Sequence, residues 1–322
     1  MKYSLIKRLG DSLRSTQVLP EERLLVGFSG GRDSVALVEL LLEAGWKRLV
    51  LCHVDHGIRE ESGADALWSA AYAERVGLEF RVRRVDVTEY ARTHKVGMEE
   101  AGRELRYAFF KEVAEELGIP RVLLAHHADD QVETVLFRFL RGSGSAGLGG
   151  MAAISFREEG GLWVLRPMLG IWRREIDAFA VECGMQFRED ASNAETRWTR
   201  NRIRHDLIPY LESVMQRPVK EAIWRNAELL RAENEWGELL EEALGECAEE
   251  LVVSDLKGLP LALRRRRVLR WIRCLGVGGV GFAEVESILA LLSNRNPARI
   301  NLPGNCFVRR RAGRIFLERP TG

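Results

Sequence analysis

Apolar and polar positions follow two rhythms in the first half of the chain. RLLVGF (23–28), RLVLCHV (48–54), FRVRRV (80–85) and RVLLAH (121–126) are short runs rich in aliphatic residues, and each predicts a strand. Stretches with helical spacing lie between them. SVALVELLLEAG is stopped at Gly45, and a second stretch covers about Ala64–Arg75. A longer helix from about Met98 places Ala101, Leu105, Ala108, Phe109 and Leu117 on one face, before Gly118 and Pro120 end it. Strands alternating with helices predict an α/β domain whose parallel sheet is covered on both faces. Ligands of such sheets bind beyond the carboxyl ends of the strands, so the chemistry should follow the strands.

Further on, Trp163–Arg166 reads as a last strand and about Ile171–Cys183 as a helix, followed by the polar stretch REDASNAETRWTRNRIR. Pro209 and Pro218 mark a boundary near 210–218, which divides residues 1–212 from a smaller, mainly helical domain over 213–322. Its helices are expected at about 219–250, 260–274 and 282–293, and the tail INLPGNCFVRRRAGRIFLE has the pattern of a hairpin. The N-terminal MKYSLIKRLGDSL alternates as an amphipathic helix does and lacks the unbroken apolar core of a signal peptide. No apolar run approaches the ~18 residues that span a bilayer. A cytoplasmic protein with no membrane partner is the expectation.

Composition adds little for the first half and more for the second. With 46% hydrophobic and 30% charged residues in 322, the chain is long enough for two packed domains. The net charge of +1 hides an asymmetry: 10 acidic against 2 basic residues over Glu221–Val253, then 14 basic against 4 acidic over Ser254–Gly322. The basic tract leaves a polyanionic partner open. Cys52, Cys183, Cys247, Cys274 and Cys306 lie far apart with no CxxC pair, which argues against a zinc knuckle, a cluster ligand set or a disulfide framework. Reduced, mostly buried thiols are expected.

FSGGRDS (28–34) joins a strand to the first turn of a helix. Gly30 and Gly31 let backbone amides approach an anion, Ser29 and Ser34 add hydroxyl donors, and the helix N-terminus adds partial positive charge. A tight turn with a Ser or Asp helix cap is the plain alternative. GSGSAGLGG (142–150) contains GxGxxG, but it follows the helically spaced QVETVLFRFLR, and no helix clearly opens after it. The strand–turn–helix context of a dinucleotide site is missing, and a flexible loop over the active site is expected instead.

HVDHGIR (53–59) follows the second strand and AHHADDQVET (125–134) the fourth. Asp130-x-x-Glu133 reads as a capping box, yet that does not account for His126, His127, Asp129, Asp130 and Glu133 together at one strand end. Zinc is a minority reading of these residues with His53 and His56, since neither HExxH nor a cysteine set accompanies them. RWTRNRIRH (197–205) packs four arginines and a histidine around Trp198 and Asn201, suited to phosphate forks and base stacking. Arg264–Arg267 and Arg309–Arg311 are further basic runs, which alone read as solvated faces.

SGGRDS resembles the signature of the ATP pyrophosphatase, or PP-loop, family, which shares the adenine nucleotide alpha hydrolase-like fold. With HVDHGIR, RELRYAFF (103–110), HHADDQVET, GSGSAGLGGM and DASN…RNRIR in this order, the chain resembles the bacterial tRNA(Ile)-lysidine synthetases. The likeness is close over about 20–210 and looser beyond. It implies ATP and Mg²⁺ as cofactors, with Ser29, Gly30, Gly31, Arg32, Asp33, Ser34, His53 and Arg59 at the nucleotide and Asp33 near the Mg²⁺. It implies L-lysine and a tRNA(Ile) with a CAU anticodon as partners. Asp33, His127, Asp130 and Glu133 would carry the chemistry, with Arg103, Arg106, Asn193, Trp198, Arg200, Asn201 and Arg204 on the substrate and the Arg264–Arg267 and Arg309–Arg311 runs on the tRNA backbone. The resemblance admits a homodimer, and longer members of the family continue into a second C-terminal domain. The rivals are a PP-loop tRNA thiolase, which needs reactive cysteines, and a non-catalytic adenine-nucleotide sensor, which would not need the HHADDQxET carboxylates.

Overall fold

Leu24, Val26, Leu49, Leu51, Leu123 and Leu165 point to one side of a sheet, and Leu25, Val50, Cys52, Val122, Leu124 and Val164 to the other. That two-residue alternation within nearly continuous apolar runs is what a doubly covered parallel sheet requires. The computed structural model describes residues 2–57, 62–158, 161–188, 199–243, 245, 248–293 and 299–319. They form two compact units, Met1–Arg231 and Ala232–Gly322.

The first unit runs α1 (Lys2–Ser15), β1 (Leu24–Gly27), α2 (Arg32–Glu43), β2 (Leu49–Asp55), α3 (Ser62–Val76), β3 (Glu79–Arg84), α4 (Val87–His94), α5 (Met98–Leu117) and β4 (Arg121–Leu123). It continues through α6 (Ala128–Leu140), α7 (Ser145–Leu148), β5 (Ile154–Arg157), β6 (Leu162–Leu165), α8 (Arg173–Glu182), α9 (Thr199–Arg202), a π-helical turn (Ile203–Leu207), α10 (Ile208–Met215) and the start of α11 (Lys220–Ala243). The strand order is β3-β2-β1-β4-β6-β5. Every pair is parallel except β5–β6.

The sheet therefore reverses its winding between β1 and β4, and the carboxyl ends of those strands lie side by side. That is where an open α/β sheet binds its ligand. α1, α2, α3 and α8 pack on one face, and α5 on the other.

The structure adds to or corrects the expectations at four points. Trp163–Arg166 holds as the last strand of this unit in chain order, but ISFR just before it, unread in the sequence, pairs antiparallel with it as the edge strand; its short, half-buried run carries too little periodicity to be read. α4 was missed because its apolar set is small; Asp86 caps it, accepting from the Glu89 N–H at 2.9 Å. Along α5 the buried set is Ala101, Tyr107, Phe109, Phe110, Val113 and Ala114, while Ala108 is exposed, because alanine's small apolar surface gives little reason to face inward. Cys274 is disulfide-bonded, contrary to five reduced thiols, and Cys183 is exposed; spacing along the chain says little about distance in the fold.

In the second unit β7 (Glu250–Val252), α12 (Val253–Gly258), α13 (Leu261–Cys274), α14 (Phe282–Ala290), β8 (Arg299–Leu302), β9 (Cys306–Arg311) and β10 (Arg314–Glu318) enclose their own core around Trp271, Ile272, Ile288, Val308 and Ile315. The expected hairpin is real but belongs to a four-stranded antiparallel sheet, β7-β10-β9-β8. The Arg264–Arg267 run is engaged internally. Arg264 donates to the Leu259 and Lys257 carbonyls, Arg265 to Glu286, Arg266 to Glu241 and Asn234, and Arg267 to the Gly245 carbonyl. Of the second run, Arg309 pairs with Glu318 and Arg310 bonds the Leu291 carbonyl.

Candidate active site

The chain leaves β1 at Gly27 and turns through Ser29–Gly31 into α2. Gly30 has φ +78, and a Cβ there would lie 2.9 Å from Ser69 Oγ, so both conformation and space demand glycine. The turn is braced from within: Ser34 Oγ donates to the Gly31 carbonyl at 2.9 Å, the Gly31 N–H donates to Ser29 Oγ at 3.2 Å, and the two serine hydroxyls lie 3.2 Å apart. From outside, the Arg188 N–H donates to the Gly30 carbonyl at 2.9 Å. Gly31 is the extended N-cap of α2, and no side chain caps that helix. Its first N–H groups and the positive end of its dipole are thus presented to an anion.

Arg32 and Asp33 follow the turn but point differently. The Arg32 guanidinium donates to Asp177 Oδ1 at 2.5 Å and lies 4.7 Å over the Phe187 ring, so this residue offers the anion site chiefly its backbone. Asp33, about a third exposed, accepts from Arg173 Nη1 on both oxygens, at 3.1 and 3.0 Å. Burial raises its pKa, against the pull of His127 and Arg173.

His127 connects this turn to the end of β4. The ring is buried, with Nε2 3.8 Å from Asp33 Oδ2 and 3.6 Å from Asp130 Oδ2, and Nδ1 3.8 Å from Asp129 Oδ2. It is also the N-cap of α6, and its backbone N–H donates to Asp130 Oδ2 at 3.0 Å. The expected capping box is therefore displaced: Asp130 is the third residue of the helix and reaches back, because the helix opens three residues before the motif suggested.

Each carboxylate here has a cation. Arg204, from the π-helical turn, donates through Nε to Glu133 Oε1 at 2.6 Å and through Nη2 to Glu133 Oε2 and Asp130 Oδ1, both at 3.2 Å. Lys220 Nζ donates to Asp129 Oδ1 at 2.8 Å, and the Arg173 N–H to Asp129 Oδ2 at 2.9 Å. Burial opposes the charged form of Asp130, but His127, His126, the His127 N–H and Arg204 outweigh it, and its pKa is lowered. Burial likewise opposes ionisation of Asp129, and Lys220 and the Arg173 N–H reverse it. In Glu133 burial wins, helped by Asp130, and the pKa is raised. Neighbouring carboxyl groups pushed in opposite directions are a pattern suited to proton transfer.

The remaining sequence-expected residues divide. His53 is buried, its Nδ1 3.0 Å from the Phe28 carbonyl oxygen, and burial lowers its pKa; it ties β2 to the start of the turn. Arg103 lies 5.8 Å over the Tyr107 ring. The half-buried Arg106 has a pKa lowered by burial, and the charges of Arg103 and Arg200 act in the same direction. Arg200 pairs with Glu99 at 3.2 Å, and Asn201 stands beside it on α9. Arg59, Asn193 and Trp198 lie outside the described residues.

The 142–150 loop is not free. Gln131 Nε2 donates to the Met151 carbonyl and Oε1 accepts from its N–H, at 2.9 and 2.7 Å, while Arg138 donates to the Gly147 and Gly150 carbonyls. Its glycines permit close approach to α6, and this packing takes the place of the expected flexible cover. Among the described residues no group of three or more His, Cys, Asp or Glu is placed to hold a metal ion. Sequence reasoning missed Arg173, Asp177 and Lys220. RREID reads as an ordinary amphipathic helix start, and nothing local signals partners far away in the chain.

An anion-ready turn beside paired carboxylates, at the switch point of this sheet, defines a PP-loop ATP-using enzyme, and the PP-loop domain family model matches residues 2–211. A second model, the TilS substrate binding domain, matches 251–316. Over 320 residues the chain is 37% identical to the tRNA(Ile)-lysidine synthase of Geobacter sulfurreducens, covering 93% of this chain and 66% of that one. It is 39% identical over 313 residues to that of Solibacter usitatus, covering 92% and 69%. It is 33% identical over 323 residues to that of Thermosynechococcus vestitus, covering 97% and 91%. The chain belongs to the tRNA(Ile)-lysidine synthase family, and it spans about two thirds of the length of the first two relatives. The fold is also that of the U34-tRNA thiolase NcsA from Methanococcus maripaludis, with TM-score 0.55 and 20% identity over 72% of this chain and 80% of that one.

Proposed function

We propose that this chain joins L-lysine to the wobble cytidine of a tRNA(Ile) with a CAU anticodon, cleaving ATP to AMP and pyrophosphate. The product reads AUA in place of AUG, and the tRNA changes identity from methionine to isoleucine. The observation that carries the reading is the buried imidazole of His127, whose Nε2 lies within 3.8 Å of both Asp33 at the phosphate turn and Asp130 in the carboxylate cluster. Nucleotide and amine would meet across it.

The turn would hold the two outer phosphates through backbone N–H groups, leaving the innermost one open to the cytosine carbonyl oxygen. That oxygen bonds to the α-phosphorus as the bond to pyrophosphate breaks. A carbonyl oxygen is a poor leaving group, and bonded to AMP it becomes a good one. Mg²⁺ would neutralise phosphate charge, and the oxygen ligands of Asp33 at the mouth of the turn suit such a hard cation.

The lysine amine, with a pKa of about 10.4, arrives protonated and non-nucleophilic. Asp130 and Glu133 form an acidic pocket for that ammonium, which would displace Arg204 from them. Glu133, with its raised pKa, is the better placed of the two to keep a proton. The amine then attacks the ring carbon, and AMP leaves with the oxygen. Arg103, Arg106, Arg200 and Arg204 would face the tRNA, and the basic surface of the second unit its backbone, with steep salt dependence. The reaction belongs in the cytoplasm, and no described helix is long and apolar enough to cross a membrane.

Incubating the purified chain with ATP, radiolabelled lysine and CAU-anticodon tRNA(Ile) tests this. Label in RNA with stoichiometric AMP is expected; ADP as product, or turnover without lysine, would reject it. Thiolation is disfavoured because burial pushes the Cys52 thiol up to about 12. Accordingly, Cys52→Ser and Cys183→Ser should leave lysine incorporation intact.

A further inference from the structure

We infer that Arg173 is the pyrophosphate-contacting cation of this site, parked on Asp33 until the nucleotide arrives. The inference rests on the nucleotide reading of the 29–34 turn. A turn that binds a triphosphate through backbone amides needs positive charge nearby, and the turn's own arginine does not offer it. Arg32 is drawn off to Asp177 at 2.5 Å and stacked over Phe187.

Arg173, the first residue of α8, comes to the mouth of the same turn from the other side. Three contacts hold it in a way that leaves the tip of the fork exchangeable. Its backbone N–H is fixed on Asp129 Oδ2 at 2.9 Å, and its Nε on Asp177 Oδ1 at 3.0 Å. Only Nη1 reaches Asp33, at 3.0 and 3.1 Å. The two side chains are 33% and 31% exposed, so this pair is open to solvent and to ligand.

Asp33 is an anion standing where phosphate anions must come. Were the Asp33 carboxylate to turn to a divalent cation carried by the nucleotide, Nη1 of Arg173 would lose its partner while Nε kept Asp177. The planar fork then presents its terminal N–H groups to the outer phosphates, the geometry in which arginine binds phosphate bidentately. Arg173 thus contacts the leaving pyrophosphate and not the adenosine monophosphate portion.

The test compares binding of ATP, AMP and inorganic pyrophosphate, each with Mg²⁺, to the full chain and to Arg173→Gln and Arg173→Lys, by calorimetry. Arg173→Gln should weaken ATP and pyrophosphate about 10- to 100-fold, the loss of one charge-assisted contact, and change AMP less than about twofold. Arg173→Lys keeps the charge without the fork and should fall between. If Arg173→Gln does not fold, the lysine variant decides alone: weaker ATP with unchanged AMP supports the assignment. A purely structural clamp on α8 would weaken ATP and AMP together, and that result, or unchanged ATP affinity, overturns it. Wild-type protein that binds neither ATP nor pyrophosphate would instead sink the nucleotide reading and this inference with it.

Discussion

The phosphate turn after β1 and the carboxylate cluster after β4 lie at neighbouring strand ends but are held together differently. The bonds among Ser29, Gly31 and Ser34 that brace the turn from within span at most five residues, with one backbone bond from Arg188 added from outside. The cluster depends on Lys220, 91 residues from Asp129, and on Arg204, 71 residues from Glu133. The turn is shaped mostly by local chain geometry, whereas the cluster exists only once the helices beyond β6 have folded over it. Damage to the turn should therefore be local and severe for the nucleotide. Damage to the cluster should spare the nucleotide and strike the second substrate.

The sharpest break is Gly30→Val. A branched side chain at φ +78, with a Cβ 2.9 Å from Ser69 Oγ, combines backbone strain with overlap. A cost of about 3 kcal/mol would weaken ATP binding about 100-fold, measured by calorimetry. Normal affinity would mean that the turn is not pre-formed.

Next is Arg204→Gln, which leaves Asp130 and Glu133 facing one another without their shared cation. Lysine-dependent turnover should fall about 100-fold while ATP affinity stays within about twofold. Equal loss of both would erase the distinction drawn between the two regions.

Acid stability comes third. Asp129 has a folded-state pKa below its unfolded value near 3.9, so its contribution is present above about pH 4 and is lost as pH falls through the lowered folded value. Asp130 has the same sign. Glu133 has the opposite one: its raised pKa favours the folded state at low pH and loses that advantage as pH rises through the folded value. Denaturant midpoints measured from pH 7 to 3 should fall on the acid side, and Asp129→Asn should flatten that fall without abolishing it. An unchanged acid limb would show that Lys220 and the Arg173 N–H do not hold Asp129 as described.

The smallest effects distinguish a buried bond from an exposed one. Ser34→Ala removes the bond to the Gly31 carbonyl and should cost about 1 kcal/mol of stability. Glu99→Gln removes the partly exposed partner of Arg200 and should cost no more than about 0.5 kcal/mol. Thermal denaturation reads both, and the reverse ranking would contradict the turn's internal bracing.

The strand runs, the glycine turn and the crowding of His127, Asp130 and Glu133 were legible because each is a short-range signal. Apolar alternation reports burial, glycine reports backbone demand, and charge density at a strand end reports a site. The edge strand ISFR, the displaced cap of α6 and the pinned 142–150 loop were not legible, since each depends on what packs beside it. The Arg264–Arg267 run read as a solvated or nucleic-acid-facing strip, yet its side chains turn to carbonyls and carboxylates of their own unit.

By itself the sequence determined the parallel α/β core, the anion-binding turn and the acidic strand end. Those follow from the conformational limits of single residues and the period of their side chains. Tertiary structure alone decided which cation stands on which carboxylate: Arg173 on Asp33, Lys220 on Asp129, Arg204 on Asp130 and Glu133. Charge attraction acts through space and leaves no trace in spacing along the chain, so those partners become known only when the helices that carry them are in place.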